Sequence, residues 1–240
     1  MQSVNKINYR EGLQGGVPIA LGYLAVSFTL GIAAKKAGLT VFQATLMSFT
    51  NSTSAGEFAA ISAICAGSSY IEMAIMQAVI NLRYLLMSCA LAQRIDSNFP
   101  MFHRFIMGFG VTDEIFGVSV ARPGRLNPFY TYGAMSLAIP AWSLGTMLGV
   151  IMGSILPSNV VSALSIALYG MFIAIIIPPA RENKIIAGLV VISMAVSYAF
   201  AHIPGLKQIS SGMRVIILTV VIAGAAAVLF PIKEEEPDAE

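Results

Sequence analysis

Glu57, Arg83 and the adjacent pair Asp113-Glu114 stand in stretches that are otherwise apolar. Ionisable side chains in hydrocarbon surroundings are rare and mark binding sites, ion pathways or proton relays. Asp113 and Glu114 fall in FIMGFGVTDEIFGVSV, behind Gly108 and Gly110, with no Lys or Arg between Arg104 and Arg122. Two neighbouring carboxylates in a low-dielectric setting cannot both stay ionised cheaply, which is the property a proton relay needs. The structural alternative is a surface helix capped by Thr112 or Asp113. Arg83 lies near the middle of QAVINLRYLLMSCALAQR, more than ten residues from both Glu72 and Arg94. Snorkelling to either surface is difficult from there, so an acidic partner, Asp113 or Glu114, or a cavity is expected.

Polar residues without charge raise the same question. SFTNSTSAGEFAA interrupts two apolar runs, Val41 to Phe49 and Phe58 to Cys65, each too short to cross a bilayer. Together they predict a broken helix, whose irregular backbone is tolerated at membrane depth only against protein or a wet cavity. Its freed N-terminus would attract a carboxylate. Asn51, Ser52, Ser54, Gly56 and Glu57 are therefore candidate substrate contacts. The alternative is a surface loop in which Ser54 and Glu57 form a capping box. Gln77, Asn81, Tyr84 and Ser88 recur at helical spacing and make one polar stripe. Gln77 and Asn81 join the candidate substrate contacts, or else bond a neighbouring helix, worth about 1 kcal/mol. Arg83, about 200° round from Asn81, belongs to a different face.

The elements that must carry these residues are those of a membrane protein. Hydrophobic residues make up 57% of the 240 and charged residues 11%, with a mean hydropathy of +0.78. Soluble domains carry about 25% charge. Apolar runs near Val17–Ala34, Val41–Gly67, Tyr70–Leu91, Met101–Val120, Phe129–Leu156, Val160–Pro178, Ile185–Ile203 and Met213–Phe230 predict an all-α, polytopic helical integral membrane protein with about seven or eight transmembrane segments. Residues 1–232 read as a single transmembrane domain and 233–240 as an acidic, solvated tail. The positive charges divide almost evenly between the two sides of an eight-span topology, so orientation is weakly determined. Gly145, Gly149 and Gly153 share a helix face at four-residue spacing and form a close-packing surface, read as an internal contact. Pro18 precedes Gly31 by the spacing at which Pro140 precedes Gly153, a faint internal echo. Trp142, Tyr130 and Tyr132 read as interface anchors.

Cys65, Cys89, His103 and His202 have no metal-ligand spacing, and no nucleophile with a base is legible. The chain is read as neither an enzyme nor a cofactor- or metal-binding protein, and nothing in it points to nucleic acid.

With these residues in hand, the chain resembles the AzlC family, also called YgaZ or LIV-E, the large subunits of bacterial branched-chain amino acid exporters. The resemblance rests on GLQGGVPIALGY, on TSAGEFAA where the family commonly has an Ala-Gly-Ser-Ala-Gln-Phe run, on NLRYLLMS against an Asn-Leu-Arg-His-Leu-Leu-Tyr type motif, and on Asp113-Glu114. Glu57 stands where the commoner pattern has glutamine, and Tyr84 where it has histidine, so substrate or ion coupling could differ. The resemblance implies export of hydrophobic amino acids such as Leu, Ile and Val, driven by an ion gradient; the adjacent carboxylates Asp113 and Glu114 make proton antiport the simplest coupling. It also implies a small AzlD-type membrane partner and a multi-pass place in the bacterial cytoplasmic (inner) membrane. A scaffold or receptor-like subunit would explain the packing glycines but not Glu57, Arg83 and the acidic pair together.

Overall fold

The computed structural model describes residues 2–96, 99–153, 180–203 and 211–230, with positions 155, 157, 159, 173, 176, 177 and 209 singly. The expected span at 160–178, apart from positions 173, 176 and 177, and the acidic tail lie outside the described residues. The named elements are helices throughout: α1 (Gln2–Lys36), α2 (Val41–Asn51), α3 (Ser54–Ala66), α4 (Tyr70–Arg94), α5 (Phe102–Phe109), α6 (Asp113–Val120), α7 (Pro128–Met152), α8 (Lys184–His202) and α9 (Ser211–Leu229). This is an all-α membrane protein. α1, α4 and α7 are each long and apolar enough to cross a bilayer.

Local sequence sets the breaks. Thr40 and Gln43 form a reciprocal capping box at the start of α2, and Ser52 ends that helix in the left-handed region at φ 32°. Gly67, at φ 65°, closes α3, and the Ser69 side chain caps α4 by accepting from the Glu72 amide. Asn127 accepts from the Phe129 amide ahead of Pro128, the first residue of α7.

Two of the expected spans turn back on themselves. Ser48 on α2 and Glu57 on α3 are nine residues apart and hydrogen-bonded to each other, which a continuous helix rising about 1.5 Å per residue does not allow. α3 then lies against α4 with Thr53 on Asn81 and Gly56 on Gln77. The segment Val41–Gly67 is thus a helical hairpin and not a broken spanning helix. The segment Met101–Val120, expected as one span, is a second hairpin. It turns at Gly110, Val111 and Thr112, the residues between α5 and α6. Its outer ends lie beside the end of α4: Arg104 reaches the Ala92 carbonyl (3.4 Å), and Arg94 donates to the carbonyls of Val120, Arg122 (2.7 Å) and Gly124 (3.0 Å). Arg122 is ion-paired with Glu11 near the start of α1, and Asn127 bonds Asn5 (2.9 Å). The start of α1, the end of α4 and the start of α7 therefore share one end of the molecule. The α5–α6 hairpin enters from that end and the α2–α3 hairpin from the other.

This arrangement redistributes the positive charges. Lys6, Arg10, Arg94, Arg104, Arg122 and Arg125 all gather at the end where α1 begins, and Lys35, Lys36 and Arg214, whose neighbour Met213 bonds Glu72 at the start of α4, stand at the opposite end. The even division expected from sequence assumed that each broken segment crosses.

α1 and α7 run parallel along a seam of small residues. An added Cβ would meet Ala134 Cα at 2.9 Å from Gly16, Gly149 Cα at 2.9 Å from Gly31, and the Leu24 carbonyl oxygen at 2.6 Å from Gly145. Gly149 faces Phe28 and Gly31, while a Cβ added at Gly153 would lie 3.5 Å from Ile32. The three glycines thus pack internally against α1, where close approach of backbones replaces side-chain interdigitation. The Pro18 and Pro140 helices of the internal echo are this side-by-side pair. Gly149→Leu is expected to lower stability by about 1–3 kcal/mol, because the obstructing atoms are backbone and cannot move aside. Thermal unfolding in detergent checks this against Gly188→Ala, where a Cβ meets nothing within 4 Å.

Candidate functional site

The tips of the two hairpins meet at mid-height between α1, α4 and α7, around a cavity of about 200 Å³. Ser52 and Ser54 line it from the first hairpin, and Thr112, Asp113 and Glu114 from the second. α1 supplies Tyr23, α4 Tyr84 and α7 Trp142.

Each charged group has a defined partner. Arg83 Nη1 lies 2.9 Å from Asp113 Oδ2, with about a third of each side chain exposed (36% and 28%). Arg83 also donates to Tyr84 Oη (3.2 Å) and its guanidinium lies 4.9 Å from the centre of that ring. The long side chain so reaches round from its own face to join the polar stripe. Glu114 Oε2 accepts from the Tyr23 hydroxyl (2.5 Å), which also bonds Thr112 Oγ1 (2.7 Å). The Tyr23 ring stands edge-on to Trp142 at 5.1 Å, a favoured aromatic geometry.

The stripe on α4 holds the first tip in place. Tyr84 donates to Thr53 Oγ1 (3.2 Å), Thr53 to Asn81 Oδ1 (3.0 Å), Asn81 to Gln77 Oε1 (2.9 Å), and Gln77 to the Gly56 carbonyl (2.6 Å). Of the candidate substrate contacts by sequence, Gln77 is occupied with the backbone of α3 at Gly56, and Asn81 with the side chains of Thr53 and Gln77. Gly56 is the residue that lets α3 come this close: a Cβ there would lie 2.7 Å from Gln77 Oε1 and 3.0 Å from Asn81 Nδ2. Asn51 and Asn81 line a second cavity of about 200 Å³, which shares Ser52 and Tyr84 with the first.

The two helix starts at the tips have opposite character. Thr53 is the N-cap of α3 but its side chain makes no capping bond, since it is turned to Asn81. The helix start keeps its partial positive charge toward the cavity residue Ser54. The Ser54–Glu57 capping box is not formed, because Glu57 is drawn inward to Ser48 and to Trp142 Nε1 (2.8 Å). α6, in contrast, is capped by Thr112 through the Ile115 amide (3.3 Å) and presents two carboxylates, Asp113 and Glu114. Thr112 does cap this helix, as the structural alternative had it, yet it is buried and not at a surface.

Tyr23 and Trp142 are the site residues that sequence reasoning missed. Trp142 is 2% exposed and is a core residue, not an interface anchor, and Tyr130 is likewise buried beneath Arg122 at 4.6 Å. The spacing of Tyr23 within an apolar run carries no signal of its role. For Trp142, the absence of any ionisable residue between Arg125 and Arg181 was a hint of deep burial.

Residues 18–156 match the family model described as AzlC protein. The stretch runs from mid-α1 past the end of α7 and so contains both hairpins and every cavity residue named above. The chain is 32% identical to an "Uncharacterized membrane protein" of Archaeoglobus fulgidus over 212 residues, 87% of this chain and 92% of that relative. It is 27% identical to "Inner membrane protein YgaZ" of Escherichia coli over 150 residues, 61% of each chain. No solved structure matches the chain.

Proposed function

The chain belongs to the AzlC family, and from that premise we propose that it exports branched-chain and other hydrophobic amino acids, Leu, Ile and Val, by proton antiport. In this reading it is the large subunit of a two-component exporter, working with a small AzlD-type membrane subunit in the bacterial cytoplasmic (inner) membrane. The basic end that begins α1 faces the cytoplasm by the positive-inside rule.

The observation that carries the reading is the polarity of the cavity. An α-amino acid is a zwitterion with an apolar side chain. The start of α3, whose N-cap Thr53 makes no side-chain capping bond, offers partial positive charge beside Ser54 to its carboxylate. Asp113 and Glu114, across the same cavity, offer acceptors to its ammonium group. Pro18, Ile19, Val26 and Trp142 supply apolar wall for the side chain. Opposed hairpins meeting at mid-membrane around such a cavity suit alternating access, because either tip can open toward its own side while the other stays seated.

Purified protein in liposomes, with and without the small subunit, is expected to move radiolabelled leucine or valine and to build up a gradient of it when a pH difference is imposed. A chain that inserts and folds yet moves none under either condition would be a scaffold or receptor-like subunit instead.

A further inference from the structure

Glu57 differs from the other charged groups of the site. Its side chain is fully buried, it does not line the cavity, and it sits behind Trp142, which does. Its carboxyl contacts are neutral: Trp142 Nε1 donates to Oε2 at 2.8 Å, and Ser48 Oγ is bonded to Oε1. Ser48 in turn bonds Thr146 Oγ1 (2.7 Å), which lies 3.3 Å from the Trp142 carbonyl oxygen.

The protons in this chain can be counted, since each hydroxyl has one to donate and a carbonyl oxygen has none. With Thr146 donating to the Trp142 carbonyl, the Ser48 proton goes to Thr146. The contact between Ser48 and Glu57 is then a hydrogen bond only when Glu57 carries a proton and donates it. All four contacts are satisfied together in that state. An ionised Glu57 satisfies three: Ser48 turns to the carboxylate, Thr146 turns to Ser48, and the Trp142 carbonyl loses its side-chain donor. It would also leave a full charge buried with no cation beside it among the described residues. Among the described residues, the titratable groups on the surrounding elements are engaged elsewhere. Tyr23 of α1 is bonded to Glu114 and Thr112, and Arg83 and Tyr84 of α4 to Asp113 and Thr53. Arg214 of α9, which also packs on α3, bonds the Ile209 carbonyl. α2 and α7 contribute the neutral Ser48, Thr146 and Trp142.

We propose that Glu57 is the proton-carrying site of this protein: it holds one proton while the α2–α3 hairpin is seated on α7 and releases it when that hairpin moves away. On release the carboxyl O–H bond breaks, the proton passes to water admitted from the cavity, and the Ser48 and Thr146 hydroxyls reverse their direction; uptake runs the same steps backward. Asp113 and Glu114 are left to hold Arg83, Tyr23 and the ligand. The link from this proton to export rests on the function proposed above, and the presence of the proton does not.

Glu57→Gln tests both parts, because the amide donates to Ser48 and accepts from Trp142 and so copies the protonated state. Infrared spectra of the purified parent at neutral pH are expected to show the C=O stretch of a protonated carboxyl group. That band should disappear in Glu57→Gln, which keeps the parent's melting temperature, and persist in Asp113→Asn. In liposomes Glu57→Gln is expected to exchange amino acid but to lose accumulation driven by a pH difference. A band that survives Glu57→Gln, or proton-driven accumulation that survives it, overturns the proposal. If the band behaves as expected and the parent itself moves no amino acid, the proton site stands and the export reading falls.

Discussion

Arg83→Ala is expected to reduce amino acid export about 30-fold. Removing one partner of a fully buried ion pair costs about 3–5 kcal/mol, and exposed pairs contribute about 1 kcal/mol or less. The pair of Arg83 with Asp113, each about a third exposed, lies between these limits at about 2 kcal/mol, and its loss lowers the population of the arrangement in which the two tips meet by about that factor. The change also takes away the donor to Tyr84, and Tyr84 bonds Thr53 at the opposite tip. Adding Asp113→Asn to Arg83→Ala should restore expression and part of the activity, since no uncompensated carboxylate is then left between the tips. Initial rates of leucine efflux, normalised to inserted protein, measure both. If the double variant is no better than the single and Asp113→Asn alone matches the parent, the ion pair has no part in transport.

Trp142→Ala is expected to be the most damaging single change near the cavity, lowering stability by about 3–5 kcal/mol as for other large aromatic truncations in cores. It removes the wall behind the cavity, the edge contact with Tyr23 and the indole donor to Glu57 at once. Trp142→Phe separates these losses. It keeps an aromatic wall but leaves Glu57 Oε2 without its donor, a penalty of about 1–3 kcal/mol. The alanine variant should yield little monodisperse protein on size exclusion in detergent. The phenylalanine variant should fold and transport about tenfold more slowly. Equal yield and activity in both would mean that the indole N–H and the ring are dispensable.

The helical membrane architecture was legible because hydropathy over about 20 residues is a strong, local signal. So was the list of charged residues that had to be accounted for, since a charge in an apolar run needs a partner wherever the chain goes. What stayed hidden is which way the chain turns. Ser52 adopts a left-handed backbone where any of several small residues would give the same sequence pattern, so a kinked crossing and a hairpin look alike along SFTNSTSAGEFAA. The second turn was harder still: α5 and α6, at eight residues each, add up to one apolar run of spanning length. The partners of Glu57 were beyond reach for another reason. Trp142 is 85 residues away along the chain and Thr146 lies 98 from Ser48, and no local rule pairs residues at that range.

The parallel pairing of α1 with α7 has a consequence for biogenesis. The small residues of α1 that meet Gly133, Gly145 and Gly149 are made more than a hundred residues before their partners. At about 5–20 residues per second, α1 waits on the order of ten seconds in the lipid with its close-packing face uncovered. Both hairpins are completed during that interval, and neither has α7 to seat against. The nascent chain therefore passes through a stage in which Glu57 has not yet met the indole that caps it. A ribosome arrested between Val120 and Pro128 would hold the protein in that stage, with α1 able to pair with the wrong helix.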